Sequence, residues 1–173
     1  MLEDEFTDNT VTWKIKSGNW VEQGNFLTGS PAANSKKAVA FAPIPWIPSG
    51  ANGCSRCTIE TMLNTTGGIG SKVVIDGWHQ NSANRVELSI KEDVDRWKLK
   101  QIANGKLVAK ARTTLVVNPG TNYRIKIRYD GTSFEVLVND QPLMKMSSPV
   151  VPFGNAGFEV KKSSASFDNI LIY

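Results

Sequence analysis

Several residue types that enzymes and membrane proteins depend on are scarce in this chain. It has two cysteines and one histidine, whereas a structural zinc site needs four ligands that are usually cysteine and histidine. Its apolar runs are only a few residues long, as at Val73 to Ile75, and a membrane helix needs roughly 20 apolar residues. The sequence therefore predicts neither a zinc site nor a membrane span.

No secretion signal is predicted at the start of the chain, because MLEDEFTD is acidic and polar. We expect an excised domain or a mature form that carries an added Met1 and comes from an extracellular or cell-surface protein. Of the 173 residues, 40% are hydrophobic and 21% are charged, which suits a globular protein. This length predicts a single domain, residues 1–173, with one sizeable core.

A helical pattern is missing as well, since nowhere do ten residues carry apolar side chains at spacings of three and four. Instead, apolar and polar residues alternate, as in YRIKIRY (Tyr123 to Tyr129), and this is the period of a half-buried strand. Roughly a dozen strands without a helix require two stacked antiparallel sheets or a closed barrel. The short turns favour an all-β antiparallel β-sandwich with two stacked sheets.

Turn dipeptides predict the register of three hairpins, because a two-residue turn determines which side chains lie opposite each other. The predicted pairs are Ile127 with Phe134 about Asp130-Gly131, Leu88 with Trp97 about Glu92-Asp93, and Ile102 with Leu107 about Asn104-Gly105. In the third hairpin this register leaves Leu99 opposite Lys110. Such a mixed face suits a sheet whose outer side forms a groove.

The order of these segments resembles a known superfamily. GIGSKVVIDGWHQNSANRVELSI is followed by WKLKQIANGKLVAKA, YRIKIRYDGTSFEVLVNDQPL, GNAGFEV and ASFDNILIY. The run from about Gly67 to Tyr173 resembles the concanavalin A-like lectin and glucanase superfamily, in its bacterial laminin G-like and 3-keto-disaccharide-hydrolase-like branch. The resemblance implies a jelly roll of the kind appended to sugar-active or surface proteins, and a fold alone does not name a ligand.

The acidic motif of the superfamily's glucanases, Glu-x-Asp-x-x-Glu, is absent from this sequence. Glu60 stands alone in TIETML, while Glu92, Asp93 and Asp95 crowd a predicted turn, where acids usually bond to their own backbone or to water. A retaining glycosidase needs two carboxyls about 5 Å apart, and the sequence nominates no such pair. We therefore predict a non-catalytic module, with an enzyme that uses an unrecognised acid such as Glu60 or Glu87 as the alternative.

The segment DGWHQNSANR holds the densest set of residue types that suit a sugar. Sugars present apolar C–H faces and many hydroxyls, so their sites combine an aromatic ring with amides, acids and arginine. The predicted ligand-binding residues are Asp76, Trp78, His79, Gln80, Asn81, Asn84, Arg85 and, near the next turn, Arg96. The expected partner is a poly- or oligosaccharide. The alternative interpretation is that Trp78 caps the edge of the core and that the amides only serve turns.

Charge indicates little about the partner, since the net charge is +4. Basic residues alternate with apolar ones, which predicts a solvated strand face rather than a phosphate track, so we expect no nucleic acid partner. A protein partner is a third interpretation, because laminin G-like modules hold extracellular assemblies together. An extensive exposed apolar patch would favour it.

The two cysteines form a Cys-x-x-Cys motif at Cys54 and Cys57. A strand follows the motif, whereas a thioredoxin-type pair needs a helix N-terminus. A fully extended segment would separate their Cα atoms by about 10 Å, and disulfides rarely span more than ~7 Å. A disulfide therefore requires a turn at Ser55-Arg56, and this pair stays a disulfide candidate.

One metal site is a candidate, and no other cofactor is predicted. Several carbohydrate-binding sandwiches hold a calcium ion between an acid near the N-terminus and an acid in the last strand. Asp4 or Glu5 and Asp168 occupy comparable places. Calcium takes six to eight oxygen ligands, so two acids leave most ligands unassigned, and the alternative is that Asp168 bonds to neighbouring backbone.

The remaining tryptophans are mostly predicted to lie in the core. Trp97 belongs there because the predicted register places it opposite Leu88, and Trp13 and Trp20 belong there as apolar residues beside the first turn. Trp46 lies in the proline-rich segment APIPWIPSGANG, where it either covers a sandwich edge or lines a site.

Overall fold

The computed structural model describes residues 2–7, 12–42, 56–150, 152 and 154–173. Within these ranges the chain forms fifteen strands and one short 3-10 helix, Glu92–Val94. The strands are β1 (Leu2–Asp4), β2 (Lys14–Ser17), β3 (Asn19–Gln23), β4 (Phe26–Ser30), β5 (Ala38–Phe41), β6 (Thr58–Thr65), β7 (Lys72–Asn81), β8 (Asn84–Lys91), β9 (Arg96–Ala103), β10 (Lys106–Thr114), β11 (Tyr123–Tyr129), β12 (Ser133–Val138), β13 (Gln141–Ser147), β14 (Asn155–Lys161) and β15 (Ala165–Ile172). No helix in the described ranges has the length and apolar character to cross a membrane.

The strands form two antiparallel sheets. Sheet A has the order β13-β12-β11-β6-β15-β4-β3, with β1 also paired to β15, and sheet B has the order β10-β9-β8-β7-β14-β5-β2. The chain crosses repeatedly between them, since β4 and β6 belong to sheet A while β5 and β7 belong to sheet B. The predicted all-β sandwich with jelly-roll connections is confirmed.

The core lies between the sheets, because every second side chain of a strand points to the same face. Phe158 of sheet B stacks on Phe167 of sheet A with ring centroids 3.8 Å apart, and Trp13 stacks on Phe158 at 5.3 Å. Trp97 is fully buried and donates its indole N–H to the carbonyl of Leu115 at 2.9 Å. The predictions that Trp13 and Trp97 belong to the core are confirmed.

Trp20 lies at the margin of this core. It is partly buried, and its indole N–H donates to the carbonyl of Ser17 at 3.1 Å. Its ring covers Gly29 so closely that an added Cβ would lie 2.6 Å from the ring atoms. Trp20 therefore packs against the core, as predicted, but keeps one edge in solvent. Trp46 lies outside the described residues, and both interpretations of its role stay predictions.

The hairpin at Asn104-Gly105 has the predicted turn and the predicted first pair, Leu107 with Ile102. Both turn residues have positive φ, at 50° and 75°, as the turn type requires. A bulge after Leu107 then shifts the register, so that Leu99 lies opposite Ala111 and not opposite Lys110. The bulge therefore places Ala111, and not Lys110, opposite Leu99 on the inner face of this hairpin.

The predicted register of the hairpin at Asp130 is wrong by two residues, since Ile127 pairs with Val136. The turn is longer than two residues because the Asp130 carboxylate accepts hydrogen bonds from the backbone N–H groups of Thr132 and Ser133, at 2.8 and 2.7 Å. A shift by two leaves every side chain on its predicted face. The core assignment is therefore unaffected.

The same correction applies to the hairpin between β8 and β9, where Leu88 lies opposite Leu99 and not opposite Trp97. The residues predicted as a two-residue turn instead begin the helical turn Glu92–Val94, and Asp95 ends it with a positive φ of 50°. The turn at Asp130 is closed by an acidic side chain, whereas the helical turn is closed by a backbone hydrogen bond from the N–H of Asp95 to the carbonyl of Glu92 at 3.4 Å.

Candidate functional site

The segment predicted as a ligand-binding loop, residues 76–85, is largely strand. Asp76 to Asn81 belong to β7, Asn84 and Arg85 belong to β8, and only Ser82-Ala83 forms the turn between them. This correction matters because strand residues point alternately to the core and to solvent. The predicted residues are therefore distributed over different surfaces.

Trp78 points into the core. Trp78 is only 3% exposed. Its ring packs edge-on against the rings of Tyr129 and Phe134, with ring centroids 6.1 and 5.1 Å apart. The register of β7 shifts between Gly77 and Asn81, and Trp78 has a positive φ of 49°. This corrects the prediction that the Trp78 ring contacts a ligand, and it agrees with the alternative interpretation of a core side chain.

Two amide side chains near this turn accept hydrogen bonds from backbone N–H groups. Asn81 Oδ1 accepts hydrogen bonds from the N–H groups of Ala83 and Asn84, at 2.8 and 3.0 Å. The Asn84 side chain in turn accepts from the N–H of Asn104 at 2.9 Å. Gln80 is exposed and borders a small pocket of about 60 Å³. Asn81 and Asn84 thus serve turns, which leaves Gln80 as the amide free to face solvent on this hairpin end.

An open cleft with a volume of about 640 Å³ lies on the outer face of sheet B. We call it the mixed cleft, because acids, bases and two rings line it together. Its lining includes Phe41, Asp76, His79, Arg85, Glu87 and Glu159. Three of the predicted ligand residues, Asp76, His79 and Arg85, meet there.

Phe41 and His79 form the aromatic part of the mixed cleft. Their rings stack with centroids 4.3 Å apart, and both residues are half-buried. Gly157 lies opposite both Phe41 and Asp76 in the sheet, and a side chain at Gly157 would clash with the Phe41 ring. Burial and, after it, the charge of Arg85 lower the pKa of His79, so the imidazole is neutral at physiological pH.

Two carboxylates of the mixed cleft lie directly opposite each other, Asp76 on β7 and Glu87 on β8. Each is only 6% exposed. Glu87 is held by Arg85 Nε at 3.0 Å and by Lys100. Burial raises the pKa of Glu87, but the hydrogen bonds from Lys100 and Arg85 outweigh it and leave the pKa below its usual value.

Asp76 has the opposite environment. Burial, followed by the charges of Glu87 and Glu159, raises the pKa of Asp76 to about 7. Its Oδ1 atom is buried and has no hydrogen-bond partner among the described residues. Asp76 is therefore about half protonated at neutral pH beside an ionised Glu87, so one carboxyl can donate a hydrogen bond while the other accepts.

Glu159 completes the acids of the mixed cleft. It bonds to Lys37 at 2.6 Å and to Lys161 at 3.1 Å. Burial raises the pKa of Glu159, and the bonds from the two lysines outweigh that effect, so the pKa is lowered. The cleft therefore presents charged donors and acceptors in alternation, beside one patch of stacked rings.

Arg96, the last predicted ligand residue, lies apart from the others. It lines a second cleft of about 310 Å³ on the same face of sheet B, which we call the basic cleft. Its basic residues are Lys72, Lys91, Arg96, Lys98, Lys100, Lys110 and Arg112. The sequence analysis missed this cluster, because each strand contributes only one to three of its members.

On sheet A, Asp168 lines a cleft of about 570 Å³ together with Glu3 and Glu5. Asp4, the other acid considered for calcium, is buried, and its carboxylate accepts from the indole N–H of Trp13 at 2.8 Å. No three Asp, Glu, His or Cys side chains among the described residues are grouped as a metal site. Calcium at Asp168 stays a prediction.

The other sequence candidates lie away from the mixed cleft. Glu60 is on sheet A, beside Arg124 and Lys126. Cys57 is buried, at 4% exposure, just before β6. Cys54 lies outside the described residues, so the disulfide between Cys54 and Cys57 stays a prediction.

Comparisons with known proteins agree on the fold. No family model matches the chain, and no curated protein does. A carbohydrate-binding module, CBM66 from Bacillus subtilis, superposes with a TM-score of 0.73 at 16% identity, over 94% of this chain and 96% of that one. A Bacillus licheniformis beta-glucanase gives a TM-score of 0.71 at 10% identity, over 98% and 95%. The Caenorhabditis elegans galectin LEC-6 gives 0.56 at 11% identity, over 71% and 84%.

These likenesses show a concanavalin A-like sandwich, as the segment order indicated. The same fold carries a carbohydrate-binding module, a galectin and a beta-glucanase. At such low identities the fold is all that is shared, and the function of this chain has to be argued from its own residues.

Sequence reasoning missed Phe41 and Glu159 as members of the mixed cleft and considered Glu87 only as an unrecognised acid. Phe41 and Glu159 lie far along the chain from the segment 76–85 and join it only through the pairing of β5, β14 and β7. One sequence signal was available for Glu87: it occupies an outward position in VELSI, between residues of the apolar face.

Proposed function

We propose that this protein is a non-catalytic carbohydrate-binding module of an extracellular or surface protein, and that the mixed cleft holds the saccharide. The observation that supports this most is the stacked pair of Phe41 and His79 beside buried, charged hydrogen-bonding groups in one open cleft. An aromatic surface suits the C–H face of a sugar, while Asp76, Glu87 and Arg85 suit its hydroxyls.

The charged groups are already arranged before a ligand arrives. Glu87 is fixed by Arg85 and Lys100, and the strands on which they lie are the interior strands of sheet B. A site that needs little ordering on binding loses less conformational entropy. The mixed cleft is therefore suited to a ligand that offers many hydroxyls in a defined geometry.

A panel of neutral and acidic polysaccharides in affinity gels, followed by calorimetry, tests the proposal. We expect Phe41→Ala to weaken binding by about tenfold, a loss at the lower end of the about 1–3 kcal/mol that removal of a stacking ring costs in nucleic-acid complexes. Tyr173→Ala is the matched control, since Tyr173 is an exposed ring that contacts Glu60 on sheet A. Retention of full affinity by Phe41→Ala, or equal loss in both variants, would contradict the assignment of the mixed cleft.

Hydrolysis of a glycosidic bond is a second candidate function, favoured by Asp76 and Glu87. Directly opposite residues of an antiparallel pair have Cβ atoms about 4.5–5.5 Å apart, which suits the carboxyl spacing of a retaining glycosidase at about 5–5.5 Å. The protonated Asp76 would serve as the acid and the ionised Glu87 as the nucleophile. Reducing-sugar release that disappears in Glu87→Gln while polysaccharide binding persists would support hydrolysis, and binding without any release would support the module.

A further inference from the structure

The basic cleft is a separate feature of the outer face of sheet B. It lies over β7, β8, β9 and β10, and its lining consists of seven basic side chains and Ser89. Among the described residues, two of the seven form ion pairs, Lys91 with Asp93 at 3.8 Å and Lys100 with Glu87. The other five have no described carboxylate within salt-bridge distance, so the cleft holds a net positive charge.

The register of the sheet brings like charges together in this cleft. Lys110 lies directly opposite Lys100, and Arg112 lies directly opposite Lys98. Like charges in directly opposite positions destabilise a sheet. Burial, followed by the charges of Lys100 and Lys110, also lowers the pKa of Lys98. An anion bound between these strands would remove this repulsion.

The basic cleft continues into the mixed cleft. Lys72 and Lys100 line both of them. A polymer that lies across β8 and β9 could therefore contact the rings and carboxyls with one part and the cations with another. The two clefts together form one path, with hydroxyl-binding groups at one end and excess positive charge at the other.

We infer that the basic cleft binds the charged groups of an acidic polysaccharide, whose sugar rings occupy the mixed cleft. This inference rests on the proposed carbohydrate-binding function and narrows it to anionic glycans. A nucleic acid fits less well, because no aromatic ring among the described residues lines the basic cleft, and stacking rings are the usual partner of single-stranded bases.

The test compares polygalacturonate, dextran sulfate, a neutral β-glucan and a DNA oligonucleotide by calorimetry at low and high salt. Lys110→Glu/Arg112→Glu is the test variant, because both side chains are exposed on the edge strand β10. Arg128→Glu/Lys145→Glu is the matched control on sheet A, with side-chain exposures of 51% and 65%. Circular dichroism and thermal unfolding establish that both variants fold.

We expect the wild type to bind polygalacturonate or dextran sulfate, with affinity that falls as salt rises. The test variant should lose at least about tenfold in affinity, and the control should change by less than about twofold. Binding of both acidic polymers would show that negative charge is the requirement. Binding of polygalacturonate alone would show that the basic cleft recognises carboxylate, and binding of dextran sulfate alone would show that it recognises sulfate.

Four results would overturn the inference. Binding of the neutral β-glucan alone would leave the proposed carbohydrate-binding function intact and remove the acidic specificity. Tight DNA binding that the test variant loses would assign the basic cleft to nucleic acid. Acidic-glycan binding that is equal in the test variant and the control would place the anion elsewhere. If no polysaccharide binds at all, the proposed function fails together with the inference.

Discussion

The outer faces of the two sheets carry their charges in different ways. On sheet A, Glu60 lies between Arg124 and Lys126, and Lys126 also reaches Asp140 at 2.6 Å. On sheet B, the basic cleft holds five cations without an ion-paired carboxylate among the described residues. These charges of sheet A neutralise one another, whereas those of the basic cleft leave an excess that a ligand can satisfy.

This difference in charge arises from the strands that neighbour β11 and β9, since the sequences of β11 and β9 themselves are alike. YRIKIRY in β11 and RWKLK in β9 both alternate basic and apolar residues. The neighbours of β11 contribute Glu60 and Glu135, while the edge strand beside β9 contributes Lys110 and Arg112. The same local pattern thus gives a neutralised face in one sheet and a cationic cleft in the other.

The largest expected effect concerns Asp76 of sheet B, whose pKa is raised to about 7 by burial and then by the charges of Glu87 and Glu159. Between about pH 4 and 7 the folded protein keeps a proton on Asp76 that the unfolded chain has lost, so stability falls as pH rises through this window. The shift corresponds to at most roughly 4 kcal/mol. In urea unfolding, Asp76→Asn should therefore be more stable than the wild type at pH 8 and nearly equal to it at pH 4.

Asp140→Asn on sheet A is the opposite case. Hydrogen bonding to Lys126 lowers the pKa of Asp140. The contribution of Asp140 to the free energy of unfolding is therefore present above its pKa in the unfolded chain, and it is lost as pH falls through its pKa in the folded protein. This variant should not gain stability at pH 8. A gain in both variants would show that the effect of Asp76→Asn does not come from its buried carboxyl.

The next effect compares Glu87 of sheet B with Glu135 of sheet A. Removing Glu87 leaves Arg85 and Lys100 without their shared buried partner, so Glu87→Ala should lower the free energy of unfolding by about 3 kcal/mol. Glu135→Ala breaks an exposed contact to Arg128 at 3.5 Å and should cost less than about 1 kcal/mol. Equal losses in urea unfolding would mean that the mixed cleft is no better ordered than the surface of sheet A.

The smallest expected effect tests the like-charge pairs. Lys110→Gln should raise the free energy of unfolding by about 0.5 kcal/mol at low salt, because it removes the repulsion from Lys100. Lys126→Gln on sheet A should lower it by about 1 kcal/mol, because Lys126 bonds to Asp140 and faces Glu60. Both differences should shrink in high salt. A loss of stability in Lys110→Gln would show that this lysine is already neutralised.

Much of the fold was predictable from alternation and turn dipeptides. The Asn104-Gly105 turn was found at its predicted place because its two residues tolerate positive φ and few others do. The turns at Asp130 and Glu92 were longer than predicted, because acidic side chains and a helical turn closed them. Local backbone preference decides the turn at Asn104-Gly105, while hydrogen bonds from the Asp130 side chain and the backbone bond of the helical turn decide the other two.

The candidate site was less predictable. Simple alternation places Trp78 on the same face as Asp76, but the irregularity at Trp78 turns its ring into the core and leaves His79 on the outer face. The phenylalanine ring that lines the cleft is the half-buried Phe41, which reaches His79 only because β5 and β7 flank the same strand. A single bulge therefore changed which aromatic residue is available to a ligand.

By itself, the amino-acid order determined that this protein consists of strands, which face of each strand is apolar and where most turns fall, because these depend on neighbours one to four residues apart. Only the tertiary structure decided which charges meet across strands, which rings line the mixed cleft and which carboxyl keeps its proton. Those properties depend on distances between strands that are remote in sequence and on the loss of water around them.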